Sequence, residues 1–142
     1  MTFAPRSLED LARENAVEGC TLETFGALVG LAQAETATDT AIRRVMRGIA
    51  RDEARHGELA WRVHHRALAR LDAEAAERVR RAAEDTARTL MDPSGEPLDA
   101  TTARALGVPV GPERRALARS FVDALPTLAA HAGGAVADRQ PS

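Results

Sequence analysis

The chain has 142 residues, of which 44% are apolar and 28% are charged, and its formal net charge at pH 7 is −2. This length suits one domain with a hydrophobic core, and the composition is that of an ordinary globular protein. A nucleic-acid partner is not expected, since phosphate binding requires a clustered basic excess, and no stretch is long and apolar enough for a membrane span.

The first two predicted helices are joined by a short connection. Ser7 is a favourable N-cap, and the helix that follows it is expected to cover about residues 8–36. Either Asp39 or Thr40 caps a second helix, which is expected over about residues 40–71. Such a short connection predicts an antiparallel helix hairpin.

Shorter helices are predicted after the hairpin. Asp72 caps a third helix, which ends before a proline- and glycine-containing loop at residues 92–97. A short helical piece is expected near residues 101–106, and a last helix begins at about Pro112, because proline suits a first helical turn.

The fold class is expected to be all-α, because no segment has the pattern of a strand. With no Tyr, one Trp and three Phe, the core must consist of Ala, Leu and Val, and this favours closely packed helices. Residues 1–132 are expected to form one domain, and residues 133–142 a disordered tail.

Cysteine content and the N-terminal sequence indicate a cytoplasmic location. Cys20 is the only cysteine, so no disulfide can form within the chain, and this suits a reducing compartment. The first seven residues contain no apolar run of the length that a signal peptide needs.

Acid and imidazole side chains interrupt an apolar seam on each of the first two helices. We call these the first seam and the second seam, and both follow the three-and-four spacing of a packed helix. The first seam consists of Leu8, Leu11, Asn15, Glu18, Leu22, Phe25 and Val29. The second seam consists of Ile42, Met46, Ile49, Glu53, His56, Ala60, Val63 and Ala67. Because a carboxylate buried alone is costly, we expect a bound cation to compensate.

Each of these helices also carries another apolar stripe, which predicts burial on two sides. The stripe on the first helix consists of Val17, Thr21, Thr24, Leu28 and Leu31. The stripe on the second consists of Ala50, Ala54, Gly57, Trp61, His64 and Leu68. We therefore expect the two helices to pack against each other under a further layer of helices.

Three residues are the candidate metal ligands. Glu53 and His56 are three residues apart on one helix, so both side chains can point at one ion. Glu18 on the first seam is the candidate from the neighbouring helix. Glu14 lies at the edge of that seam, and Glu23, five residues after Glu18, is expected to point elsewhere, so both are expected to face solvent.

Other polar residues have a structural interpretation beside the functional one. Asn15 either supports a ligand or is a hydrogen-bonded buried amide. His64, beside Trp61, is expected to be a core histidine, and Cys20 a small buried hydrophobic residue with no lowered pKa.

The two strings that contain these residues resemble known sequences. The Glu-Gly-Cys string at residues 18–20 and the Asp-Glu-Ala-Arg-His-Gly-Glu-Leu-Ala-Trp string at residues 52–61 resemble one half of the bacterial ferritin-like proteins. The resemblance covers about residues 10–70 and implies a helical bundle with a di-metal carboxylate centre. The metal ligands that it implies are Glu18, Glu53 and His56.

A complete ferritin-like bundle supplies this ligand set twice, but residues 72–142 contain no second Glu-x-x-His. A homodimer is therefore expected to complete the bundle, and its four carboxylates balance two divalent ions. The alternative is a bundle closed by the C-terminal helices within one chain, with Glu77, Glu84 or Asp123 supplementing a single-ion site.

The sequence thus predicts a ferritin-like homodimer whose two iron or manganese ions react with oxygen or peroxide as in a ferroxidase or oxidase. Glu53 bridges the metals in this interpretation, while Glu18 and His56 each hold one. A carboxylate-rich set without thiolate favours these metals over zinc. No organic substrate or reductase is indicated. Two alternatives stay open: a metal-stapled dimerisation module without catalysis, and a metal-free relative with a buried hydrogen bond between Glu53 and His56.

Overall fold

The computed structural model describes residues 5–92 and 98–131, and all regular secondary structure within these ranges is helical. The predicted all-α class is therefore confirmed. The loop at residues 93–97 and the predicted tail at residues 133–142 lie outside the described residues. The helices are α1, made of Leu8–Asn15, Ala16–Glu23 and Thr24–Thr36; α2, Thr40–Leu68; α3, Ala73–Thr89; α4, Ala100–Leu106; and α5, Gly111–His131.

The predicted helix starts are confirmed by side-chain caps. Ser7 and Asp10 form a reciprocal capping box at the start of α1. The Asp39 carboxylate accepts hydrogen bonds from two backbone N–H groups of α2, and the Asp72 carboxylate accepts one from the Ala75 N–H of α3. Asp99 caps α4, which ends at Gly107 with a positive φ of 65°.

A π-helical segment, Ala16–Glu23, lies in the middle of α1. The backbone at Ala16 and Thr24 keeps right-handed helical dihedral angles, so α1 is continuous through this segment. The Thr21 hydroxyl donates to the Ala16 carbonyl oxygen, five residues earlier, at 2.9 Å. A π-helix places more residues in each turn than an α-helix. Side chains after this segment therefore face differently from what an uninterrupted α-helix predicts.

Small residues bring α1 and α2 into close antiparallel contact. A Cβ atom on Gly19 would lie 2.5 Å from the Ala60 Cβ, and one on Gly30 would lie 3.1 Å from the Ala50 Cβ. The later residue of α1, Gly30, meets the earlier residue of α2, Ala50, so the two helices are antiparallel. The Asn15 side-chain amide also donates to the Ala60 carbonyl oxygen at 2.9 Å. These contacts confirm the predicted hairpin, although α2 ends at Leu68, before the predicted boundary.

Helices α3 and α5 cover one side of the hairpin. Their residues Ala87, Ala118, Phe121 and Leu125 form a buried cluster with hairpin residues that include Phe25. The Phe25 and Phe121 ring centroids are 5.6 Å apart. Val79 of α3 is buried in a second cluster near the start of α1. The predicted further layer of helices is therefore present on this side.

The opposite side of the hairpin stays open in a single chain. The exposed fractions of Leu11, Leu59 and Val63 are 47%, 55% and 44%. Leu11 and Val63 belong to the two seams and were expected to be buried, so the structure corrects that expectation, whereas Leu59 is not a seam residue. The reason is that α3 and α5 cover only one side of the hairpin, so part of each seam stays exposed. We call the open side, with its seam residues, the open face.

Among the described helices, none has both the length and the apolar character that crossing a membrane requires.

Candidate metal centre

Glu53 and His56 lie one turn apart on the open face of α2. The Nδ1 atom of His56 is 3.8 Å from the Oε2 atom of Glu53. This distance is too long for a hydrogen bond. Two ligand atoms that are each about 2.1 Å from one ion lie roughly 3–4 Å apart, so the spacing suits a shared cation. The pair does not form the buried hydrogen bond that the metal-free interpretation requires, since the His56 side chain is 61% exposed.

Glu23 completes a group of three with this pair. One ligand atom from each of Glu23, Glu53 and His56 lies within 4.8 Å of the other two. Glu23 and Glu53 are half-buried, whereas His56 is exposed. The group therefore combines two carboxylates and an imidazole from two helices at the edge of the core.

The position of Glu23 corrects the sequence analysis, which placed this side chain on another face. In an α-helix, a residue five positions after Glu18 is rotated away by about 140°. In the π-helical segment, hydrogen bonds join residues five positions apart, so Glu18 and Glu23 face more nearly the same side. The three-and-four spacing of apolar residues in the sequence does not indicate where a π-helical segment lies.

Glu18, the predicted ligand on α1, is exposed and does not belong to the group of three. It lines an open groove between α1 and α2 that Glu23 and His56 also line. The structure thus brings Glu53 and His56 together as predicted, adds Glu23, and leaves Glu18 beside the group. Direct ligation by Glu18 stays a prediction.

Thr24 and Gly57 set the spacing of the helices at this group. Each follows a member of the group in sequence, since Thr24 comes after Glu23 and Gly57 after His56. A Cβ atom on Gly57 would lie 2.8 Å from the Thr24 Oγ1 atom. The same hydroxyl accepts a hydrogen bond from the Trp61 Nε1 atom at 3.3 Å. The missing side chain at Gly57 therefore lets the two helices approach where the ligand atoms converge.

The electrostatics of the group favour a cation. Within the described ranges, neither Glu23 nor Glu53 forms an ion pair with an arginine. Asp52, the neighbour of Glu53, pairs with Arg55 at 3.6 Å. Two carboxylates this close without an arginine partner repel each other, and a bound divalent ion would reverse that interaction.

The acids of the C-terminal helices do not reach this group. Glu77 pairs with Arg81 at 3.2 Å, and Glu84 pairs with Arg88 at 3.1 Å, both on the surface of α3. Asp123 is exposed on α5 and lies outside the group. The structure therefore gives no support to a single-chain site supplemented by these residues.

Cys20 and Asn15 are polar residues near the group, and both have structural roles in the packing of the helices. Cys20 is buried, and this burial, with a smaller contribution from the Glu23 carboxylate, raises the pKa of its thiol to about 12. It therefore stays protonated and is a poor metal ligand. Asn15 donates to a backbone carbonyl of α2 and acts as a hydrogen-bonded amide. Neither side chain belongs to the metal-ligand group.

Comparisons of the chain with protein-family models, with curated proteins and with solved structures find no match. The interpretation of the site therefore depends on its geometry and on the two sequence strings.

Proposed function

We propose that two copies of this chain pair through their open faces and form a ferritin-like di-iron centre that reacts with oxygen or peroxide. The observation that carries the proposal is the convergence of Glu23, Glu53 and His56 within 4.8 Å on that face. Glu18 lines the same groove and is positioned to add a carboxylate.

The donor set fits iron or manganese. Carboxylate oxygen and imidazole nitrogen suit both metals, whereas a thiolate would have favoured zinc. The nearby cysteine is protonated and buried in the core, so the donors are oxygen and nitrogen alone. The imidazole of His56 can offer a ring nitrogen to an ion, and its exposure leaves the ring free to reach a metal.

A second copy resolves both the shortage of ligands and the exposure of the open face. Three ligands from one chain do not fill the coordination of a metal ion. A twofold dimer would bring two such groups together and supply four carboxylates and two histidines. Four negative charges balance two divalent ions. The exposed Leu11, Leu59 and Val63 line the same groove as His56, so pairing would bury apolar surface around the centre.

Iron bound here would supply the electrons that reduce the oxidant. The chain's own residues would hold and enclose the reaction site. Glu23 and Glu53 would fix the ions between the helices, and the apolar side chains of two open faces would limit the access of water. Ferroxidase and oxidase chemistry both suit this arrangement.

The test is absorbance in the near ultraviolet after ferrous iron is added to the metal-free protein in air. We expect a saturating increase typical of a ferric pair, with about one iron per chain. Glu53→Gln should abolish the increase, while Glu58→Gln, an exposed acid on the same helix, should leave it unchanged. Zinc retention without an absorbance change would instead support the metal-stapled dimer, and no metal uptake would refute both.

A further inference from the structure

A cavity of about 340 Å³ lies between α2, α3 and α5, and the metal-ligand group does not line it. Its walls are mainly apolar and include Trp61, Ala87, Val122 and Leu125. Small-molecule sites have this form, in which apolar walls surround a few placed polar groups. Its polar lining residues are His64, Arg80, Glu84 and Arg88, of which Glu84 and Arg88 pair with each other. We call it the His64 cavity, because His64 is the buried one among them.

His64 is 2% exposed, and its Nδ1 atom has no hydrogen-bond partner among the described residues. The ring packs edge-on against Trp61, with centroids 5.5 Å apart. Burial, and then the neighbouring His65 and Arg80, lower the pKa of His64 to about 4. The ring is therefore neutral at pH 7 and can present Nδ1 as a hydrogen-bond donor. Buried polar atoms in proteins are nearly always hydrogen-bonded, so this Nδ1 atom has an unused capacity for a water molecule or a polar ligand group.

Arg80 of α3 lines the same cavity and supplies positive charge. Its one ion pair, with Glu77, is long at 3.5 Å, so most of its N–H groups are available. The other arginine in the wall, Arg88, already contacts Glu84 and Asp85. A carboxylate is the group that complements a guanidinium and an imidazole N–H together.

We propose that the His64 cavity binds a small amphiphilic carboxylate, with its head group between Arg80 and His64 and its apolar body against Trp61, Val122 and Leu125. A cavity of this volume is at the lower end of the roughly 300–1,000 Å³ range of ligand sites, which suits an aliphatic acid of about ten carbons. Binding there does not require the metal centre.

Trp61 is the only tryptophan of the chain and lines this cavity on one side and the groove that contains Arg62 on the other, so its fluorescence detects binding and the variants below locate it. The experiment titrates the full-length protein with decanoate and follows Trp61 fluorescence. We expect a saturable change with one decanoate per chain, and binding at least about tenfold weaker for decanol, which lacks the charge. The Glu53→Gln variant should bind decanoate as the wild type does. No saturable change, or equal binding of decanol, would overturn the proposal.

A matched pair of arginine variants tests the head-group position. Arg80→Gln should weaken decanoate binding about tenfold, because it removes one charge-assisted contact. Arg62→Gln is the control, since Arg62 lines a different groove on the other side of Trp61. Equal weakening by both variants would show a nonspecific charge effect and contradict the proposal.

A spectroscopic measurement places the ligand beside His64 without any substitution. A carboxylate next to an imidazole favours its protonated form, so decanoate should raise the pKa of His64 measured by NMR. An unchanged His64 pKa at saturating decanoate would place the ligand elsewhere and refute the assignment.

Discussion

The carboxylate of Glu23 lies within 4.8 Å of the imidazole of His56, although the two residues belong to different helices and 33 positions separate them in sequence. This relationship depends on the π-helical segment that ends at Glu23. Segments of this kind are rare and occur often at functional sites. The π-helical segment of α1 therefore brings Glu23 to the proposed metal centre.

Glu23→Gln should lower metal retention by at least about tenfold, because removing one charged ligand leaves two donors in a weaker site. Helix content should stay nearly unchanged, since the substitution also relieves repulsion between carboxylates. Glu14→Gln is the control, because Glu14 lines the same groove but pairs with Arg6. Metal analysis after dialysis measures the effect. Greater loss in Glu18→Ala than in Glu23→Gln would restore Glu18 as the principal ligand.

The sequence was sufficient for the helix starts and for two members of the candidate ligand group. Ser7 and Asp72 marked helix starts because their side chains bond the first free N–H groups. Glu53 and His56 were found because α2 is regular, so their spacing fixes their relative direction. The position of Glu23 could not be predicted, since it depends on hydrogen bonds between residues five apart.

The sequence also left open which side of each hairpin helix is covered by the C-terminal helices. Both helices of the hairpin have two apolar stripes, and periodicity does not indicate which one meets α3 and α5. Phe25 shows the consequence, because it belongs to the first seam yet packs against Phe121 in the core. Leu22 of the same seam is exposed. Only the packing of the whole chain distinguishes the two stripes.

Gly57→Ala should destabilise the fold by about 1–3 kcal/mol, because the new methyl group would press against Thr24 and force the helices apart. It should also weaken metal retention, since Glu23 and His56 flank this contact. Gly48→Ala on the same helix meets no atom within 4 Å and should stabilise by about 0.5–1 kcal/mol. Denaturant unfolding measures both. Equal stability of the two variants would contradict the close packing at Gly57.

His64 should make the stability of the fold depend on pH. Its pKa is about 4 in the folded chain against 6.5 as the ordinary value, so the unfolded chain binds the extra proton first. Stability should therefore be complete above about pH 6.5 and fall as the pH drops towards 4, by roughly 2–3 kcal/mol. The charged and titratable groups around the ring are His65 on α2 and Arg80, Glu84 and Arg88 on α3.

Chemical unfolding at pH 7 and pH 5, with a chelator present, checks this dependence. Since other groups also titrate, the informative quantity is the difference between the wild type and His64→Gln. The variant should lose less stability between these pH values. An identical loss in both proteins would show that His64 does not carry the effect.

Leu59→Glu should prevent dimer formation, because it places a charge on the open face at a position that is 55% exposed in the single chain. Leu31→Glu is the matched control, since Leu31 has similar exposure but lines a different groove beside α5. Sedimentation velocity at fixed protein concentration compares them. Dimer loss in Leu31→Glu alone would place the interface on that other groove.

Native mass spectrometry with and without a chelator tests the central claim most directly. If two copies share the centre, the iron-loaded protein should be a dimer with two ions, and chelation should shift it towards the monomer, because ions that bind only the assembled site stabilise the dimer. A monomer that keeps two ions, or a dimer that is unchanged after complete metal removal, would contradict the shared di-metal centre.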